Sequence, residues 1–93
     1  MAITDPLTGL LNRKGFDEQL KKVMQGDLHI HCVGIQMDID DFKFINDMYG
    51  HVVGDAALKS LAQDIQSYFN DNSIICRNGG DEFSAILVDT TEE

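Results

Sequence analysis

Arg77-Asn78-Gly79-Gly80-Asp81-Glu82-Phe83 decides the fold of this 93-residue chain, because two glycines followed by two acids join two apolar runs. Ile74, Ile75 and Cys76 precede the turn, and Phe83, Ser84, Ala85, Ile86, Leu87 and Val88 follow it, which is the pattern of a β-hairpin. Gly79 and Gly80 can take positive φ and leave room for a ligand beside the backbone. Taken alone, the turn reads as an ordinary hairpin with solvated acids. A second acidic cluster upstream changes that reading.

The second cluster is Asp38-Ile39-Asp40-Asp41-Phe42-Lys43, which follows a predicted strand, Cys32-Val33-Gly34-Ile35-Gln36-Met37. Carboxylates at the ends of neighbouring strands suit a site in which divalent ions activate a hydroxyl and clamp a triphosphate, as in palm-type polymerases and nucleotide cyclases. Asp38 and Asp81 would meet in this way if their strands are adjacent. A calcium loop of the EF-hand type is excluded for Asp38, Asp40 and Asp41. Phe42 stands at its fifth position, Lys43 replaces its glycine and Tyr49 its final glutamate.

With these residues in view, the chain resembles the GGDEF domain of bacterial diguanylate cyclases, and the match covers nearly all of its length. The motifs are Asp5-Pro6-Leu7-Thr8-Gly9-Leu10 with Asn12-Arg13, Asp38-Ile39-Asp40 with Phe42-Lys43, and Ile45-Asn46-Asp47. Tyr49-Gly50-His51, Gly54-Asp55 and Gly79-Gly80-Asp81-Glu82-Phe83 follow in the family's order. The resemblance implies condensation of two GTP molecules into cyclic di-GMP with two Mg2+ (or Mn2+) ions. Each domain would hold one GTP, in a homodimer whose two domains face each other. It implies metal binding by the carboxylates of Asp38 and Asp81 and by the main-chain carbonyl of Ile39. It places Glu82 near the reacting 3′-hydroxyl, as general base or as support for the metal site. Phosphate contacts fall by the same resemblance on Phe42 and Lys43, although Phe42 also reads as core and Lys43 as solvated surface.

Guanine recognition follows from chemistry as well as by similarity. The base edge presents N1–H and N2–H side by side, which suits one carboxylate, while an amide beside it can both donate and accept. The resemblance gives these roles to Asp55 and Asn46. Adenine has an acceptor at N1, so GTP is expected over ATP by the ~1–3 kcal/mol cost of an unmet buried polar group. Asp55 also reads as a helix-opening acid, since Gly54-Asp55 is expected to begin a helix.

The remaining positions read as scaffold. Leu58, Leu61, Ala62, Ile65, Tyr68 and Phe69 recur at helical spacing and predict a helix over residues 55–70. An earlier helix starts near Asn12, carries Phe16, Leu20, Val23 and Met24, and stops at Gly26. A shorter one runs roughly from Asp41 to Met48. The order helix, strand, helix, helix, strand, strand predicts an α+β fold. The resemblance implies a palm-like, nucleotide-cyclase-like sheet with packed helices and remaining edge strands, a single GGDEF domain over residues 1–93.

Departures from the family's pattern set further expectations. The chain ends at Thr90-Thr91-Glu92-Glu93, about where the hairpin finishes, so the domain is expected to be truncated after the GGDEF hairpin and incomplete at its C-terminal end. The unpaired sheet edge would then favour a swapped oligomer. Met1-Ala2-Ile3-Thr4 leads directly into Asp5, which suggests an upstream sensor domain in the parent protein. Asn70-Asp71-Asn72-Ser73 stands where many members carry an inhibitory Arg-x-x-Asp, so product inhibition through that site is not expected. Asn78 stands where the family usually has an aromatic residue.

Sixteen acids against seven Lys and Arg, a net charge of −9, argue against a nucleic-acid partner. No apolar run reaches the roughly 20 residues of a membrane span and no signal peptide is visible, so this segment is expected to be cytoplasmic. Cys32 and Cys76 lie in predicted strands and read as buried reduced thiols. His29 and His31 alternate along a strand and read as exposed neighbours rather than zinc ligands. His51 reads as part of a structural turn. Three functions are therefore carried forward: a diguanylate cyclase domain, a GTP-binding regulatory GGDEF module, and an inactive fragment, folded or domain-swapped.

Overall fold

The structure, a computed structural model, describes residues 2–26, 29–69 and 71–91. Met1, Asn70, Glu92 and Glu93, which entered the readings of the chain ends and of the inhibitory stretch, lie outside the described residues, as does the side chain of His29.

Six elements follow in the expected order: α1 (Arg13–Met24), β1 (His29–Asp38), α2 (Phe42–Tyr49), α3 (His51–Tyr68), β2 (Ile74–Gly79) and β3 (Glu82–Thr91). Asn12 caps α1, its side-chain oxygen accepting from the Gly15 N–H at 2.9 Å. The strands form one antiparallel sheet in the order β1-β3-β2, so the hairpin's second strand sits centrally and β1 and β2 are at the edges. Part of the β2 edge is covered by the N-terminal segment. Leu11 forms a parallel bridge to Cys76, and the Arg77 N–H donates to the Leu11 carbonyl at 3.0 Å.

Around β2 and β3 both faces of the sheet are covered, which explains the near-continuous apolar runs of these two strands. On one face Phe83 packs with Leu10 and with Leu58, Ala62 and Ile65 of α3; Met37, Ile39, Phe42 and Ile75 border this cluster. On the other, Ile74, Cys76 and Val88 pack with Phe16 of α1, bordered by Leu20, Val23 and Ile86. Strand alternation sends Phe83 to the α3 side and Cys76, the register partner of Ser84, to the α1 side.

Several expectations need correction. The third helix begins at His51, not Asp55, so Asp55 lies beyond the first turn and does not open the helix. Tyr68 and Met24 are exposed, because the buried stripes run through Leu58-Ala62-Ile65 and Phe16-Leu20-Val23 and leave both residues to the side. Cys32 is an exposed thiol, since α1 packs against β2 and leaves that part of edge strand β1 uncovered; Cys76 is buried, and both are free. No described helix is long and apolar enough to cross a membrane.

Candidate functional site

At one end of the sheet the register decides which acids meet. Asp38, the last residue of β1, is the partner of Glu82, the first residue of β3. Directly paired residues project from the same face with Cβ atoms ~5 Å apart, so these two carboxylates are neighbours. Asp81 precedes Glu82 in the turn, half-buried, and is not itself in register with Asp38. The turn is shaped by Gly79 at φ 133° and Gly80 at φ 55°, values that disfavour any side chain. Open space lies where a Cβ would project from either glycine.

Beyond Asp38 the chain turns sharply into α2. Asp41 takes a left-handed φ of 59°, a region that Asp tolerates better than most residues. The side chain of Ile39 packs against the α3-side core, which leaves its main-chain carbonyl as the group it can offer to a ligand. Phe42 is the first residue of α2 and also borders that core, so its core reading holds. No side chain caps the start of α2, whose first N–H groups lie at the positive end of the helix dipole. Lys43 is exposed, its Nζ 3.0 Å from Asp47 on the next turn. Such a surface pair contributes well under ~1 kcal/mol and leaves the ammonium free to exchange partners.

The packing of α2 on α3 sets Asn46 beside Gly54, the residue before Asp55. The Asn46 side chain lies against Gly54 so closely that a Cβ there would collide with Oδ1. That oxygen is buried without a hydrogen-bond partner, an uncommon state for a polar atom. Asp55 follows Gly54 directly and is exposed. Among the described residues no three His, Cys, Asp or Glu side chains gather into a metal cluster. A hard divalent ion such as Mg2+ does not need one, since it takes one or two carboxylates and completes its octahedron with waters and phosphate oxygens.

The sequence reading quoted Asp5 and Arg77 within motifs but gave them no role, and here they lock the turn to the N-terminal segment. Arg77 donates from Nη1 to Asp5 Oδ1 at 2.9 Å, and from Nε and Nη2 to the Gly80 carbonyl at 3.0 and 2.8 Å. Asp5 Oδ2 also accepts from the N–H and hydroxyl of Thr8 at 2.9 and 2.8 Å. Burial pushes the Asp5 carboxyl up, but the Thr8 hydrogen bonds and the Arg77 charge outweigh it, and its pKa lies below the usual value. The partners are 72 positions apart, so no local pattern could have paired them. The second missed feature is Gly54, whose lack of a side chain makes room for Asn46. His51, expected in a structural turn, is the exposed first residue of α3. A cleft of about 290 Å³ beside Gly9, Leu10 and Ile75 is lined by no ionisable side chain and lies apart from the acids.

The family model described as "Diguanylate cyclase, GGDEF domain" matches residues 2–93. The chain is 40% identical over 98 residues to the diguanylate cyclase DgcP of Pseudomonas aeruginosa, covering 99% of this chain and 14% of that protein. It is 41% identical over 88 residues to the cyclic di-GMP phosphodiesterase PdeB of Shewanella oneidensis, covering 94% of this chain and 10% of that protein. The crystal structure of the GGDEF domain of DgcB from Caulobacter crescentus, in complex with c-di-GMP, superposes with a TM-score of 0.78 at 36% identity. That alignment covers 95% of this chain and 53% of the DgcB chain. The chain thus spans a small part of its curated relatives and about half of the solved domain.

Proposed function

The chain belongs to the GGDEF domain family of diguanylate cyclases, and from that premise we propose that it is the metal- and GTP-binding part of a cyclase that joins two GTP into cyclic di-GMP. The observation that carries this reading is the in-register pairing of Asp38 with Glu82, with Asp81 in the adjoining turn. Asp38 and Asp81, with the Ile39 carbonyl, would hold Mg2+ or Mn2+, which when bound supplies charge neutralisation on the triphosphate. Lys43 and the main-chain N–H groups at Phe42 and the start of α2 bind the phosphates, as helix N-termini bind anions. The open backbone at Gly79 and Gly80 lets the nucleotide approach the turn.

The Asp55 carboxylate and the Asn46 amide form the base pocket, Asp55 accepting from the guanine N1–H and N2–H groups while Asn46 donates and accepts beside it. Glu82 accepts the proton of the attacking 3′-hydroxyl or steadies the metal ligands. In each of two equivalent steps a 3′-oxygen bonds to the α-phosphorus of the other GTP and pyrophosphate leaves with the bonding pair. The two nucleotides are held by two facing domains, so the working unit is a homodimer, and its GTP supply is cytoplasmic. The match within a phosphodiesterase favours a second reading, a regulatory module that binds GTP without turnover.

One experiment separates them. Purified chain is incubated with Mg2+ and GTP beside Asp81→Ala, Glu82→Ala and Asp55→Ala, and both GTP binding and cyclic di-GMP are measured. The cyclase reading expects product from the parent chain, loss of turnover with retained GTP binding in Asp81→Ala and Glu82→Ala, and loss of the GTP over ATP preference in Asp55→Ala. GTP binding without product supports the regulatory module. Unchanged GTP affinity and selectivity in Asp55→Ala would remove the base-recognition role.

A further inference from the structure

The turn that presents Asp81 and Glu82 is built on two glycines, which contribute no side-chain contacts to hold its shape. Its geometry depends on the residues before it. Arg77 pairs with Phe83 and Gly79 with Glu82, so Asn78 is the extra residue of a β-bulge, outside the ladder. Its side chain is not idle. Nδ2 donates to Ser84 Oγ at 2.8 Å, and Oδ1 accepts from the Cys76 thiol at 3.2 Å. Cys76 and Ser84 are register partners, so one amide bridges both strands immediately before the turn.

The chemistry fixes which end of the amide goes where. Cys76 is fully buried and burial pushes its thiol pKa up, so it stays protonated and acts as a donor. A thiol donor needs the amide oxygen, which leaves the amide N–H for the Ser84 hydroxyl. Arg77 grips the Gly80 carbonyl from the α3 face, whereas Cys76, Ser84 and hence Asn78 lie on the α1 face. The bulge is clamped from both sides.

We infer that Asn78 is a positioning residue, whose bridge between Cys76 and Ser84 sets the bulge and thereby the direction in which the turn delivers Asp81 and Glu82 toward Asp38. Its consequence for metal binding rests on the proposed function; its effect on the turn does not. The test uses the full chain as wild type, Asn78→Ala, Ser84→Ala and the double variant. Amide hydrogen exchange is read at Gly79 and Glu82, which pair across the bulge, and the Mn2+ dissociation constant is read by electron paramagnetic resonance titration.

Loss of the Asn78–Ser84 hydrogen bond should speed exchange at Gly79 and Glu82 about three- to tenfold in Ser84→Ala, at least as much in Asn78→Ala, which also loses the Cys76 bond, and no more in the double variant than in Asn78→Ala. Leu58 and Ala62 of α3 should keep their wild-type rates, and the Mn2+ dissociation constant should rise by a similar factor. Exchange within about twofold of wild type, single effects that multiply in the double variant, or equal acceleration at Leu58 would each overturn the inference. Faster exchange at the turn with no Mn2+ binding by the wild type supports the clamp and sinks the metal role in the proposed function. Faster exchange with unaltered Mn2+ affinity overturns the positioning role.

Discussion

Replacing Arg77 with alanine should be among the most destabilising surface-adjacent changes in this chain. The Arg77 and Asp5 side chains are 16% and 12% exposed, so their ion pair is largely out of water. Breaking a buried pair costs ~3–5 kcal/mol, because the remaining charge stays desolvated. Thr8 continues to satisfy Asp5 in the variant, which reduces that penalty, while two hydrogen bonds to the Gly80 carbonyl are lost. The net expectation at pH 7 is a loss of about 2–4 kcal/mol. A domain of this size has a total stability of roughly 5–14 kcal/mol, and its Tm should fall by roughly 10–25 °C. Arg77→Lys keeps a charge near Asp5 but not the planar fork that reaches Gly80, and should cost about half as much.

Urea unfolding followed by circular dichroism measures both losses, and its pH dependence tests the cause. The folded pKa of Asp5 lies below the ordinary 3.8, so the ion pair's stabilisation is complete above that value and is lost as pH falls through the folded pKa. The gap between wild type and Arg77→Ala should therefore stay level from neutral pH to about 4 and narrow below it, towards the part set by the hydrogen bonds to Gly80. A cost under ~0.5 kcal/mol at pH 7, the behaviour of an ordinary surface pair, would refute the reasoning. So would a gap that persists unchanged at the lowest pH at which the protein stays folded.

Two further outcomes follow from the packing. Gly54→Ala should destabilise by about 1–3 kcal/mol despite alanine's ~1 kcal/mol better helix propensity, because its Cβ would collide with Asn46 and push α2 from α3. GTP affinity should fall with it, and a stabilised variant on thermal unfolding would show that the two helices yield freely. Phe83→Ala should cost ~3–5 kcal/mol by emptying the space beneath α3, since Phe83 is fully buried and central to that core. Denaturant unfolding showing less than ~2 kcal/mol would mean that Leu58 and Leu10 collapse into the void.

Much of the fold was legible in the chain because its elements are encoded by local chemistry. Helical spacing at Leu58, Ala62 and Ile65, the Asn12 cap and the glycine pair of the hairpin each act within a few residues, and each element appeared. The acids, glycines and asparagines of the site were also visible as types, since their chemistry is written in the side chains. Local spacing could not say which of them touch. The pairing of Asp38 with Glu82 rather than Asp81 follows from strand register, and the exposure of Cys32, Met24 and Tyr68 follows from where α1 and α3 settle on the sheet. The Arg77–Asp5 lock and the Asn46–Gly54 contact likewise join residues that meet only when separate elements pack, whereas the Asn78 bridge forms within the hairpin but needs its register. Elements are specified by neighbours in the chain, whereas a site is specified by neighbours in space, and only packing converts the first into the second.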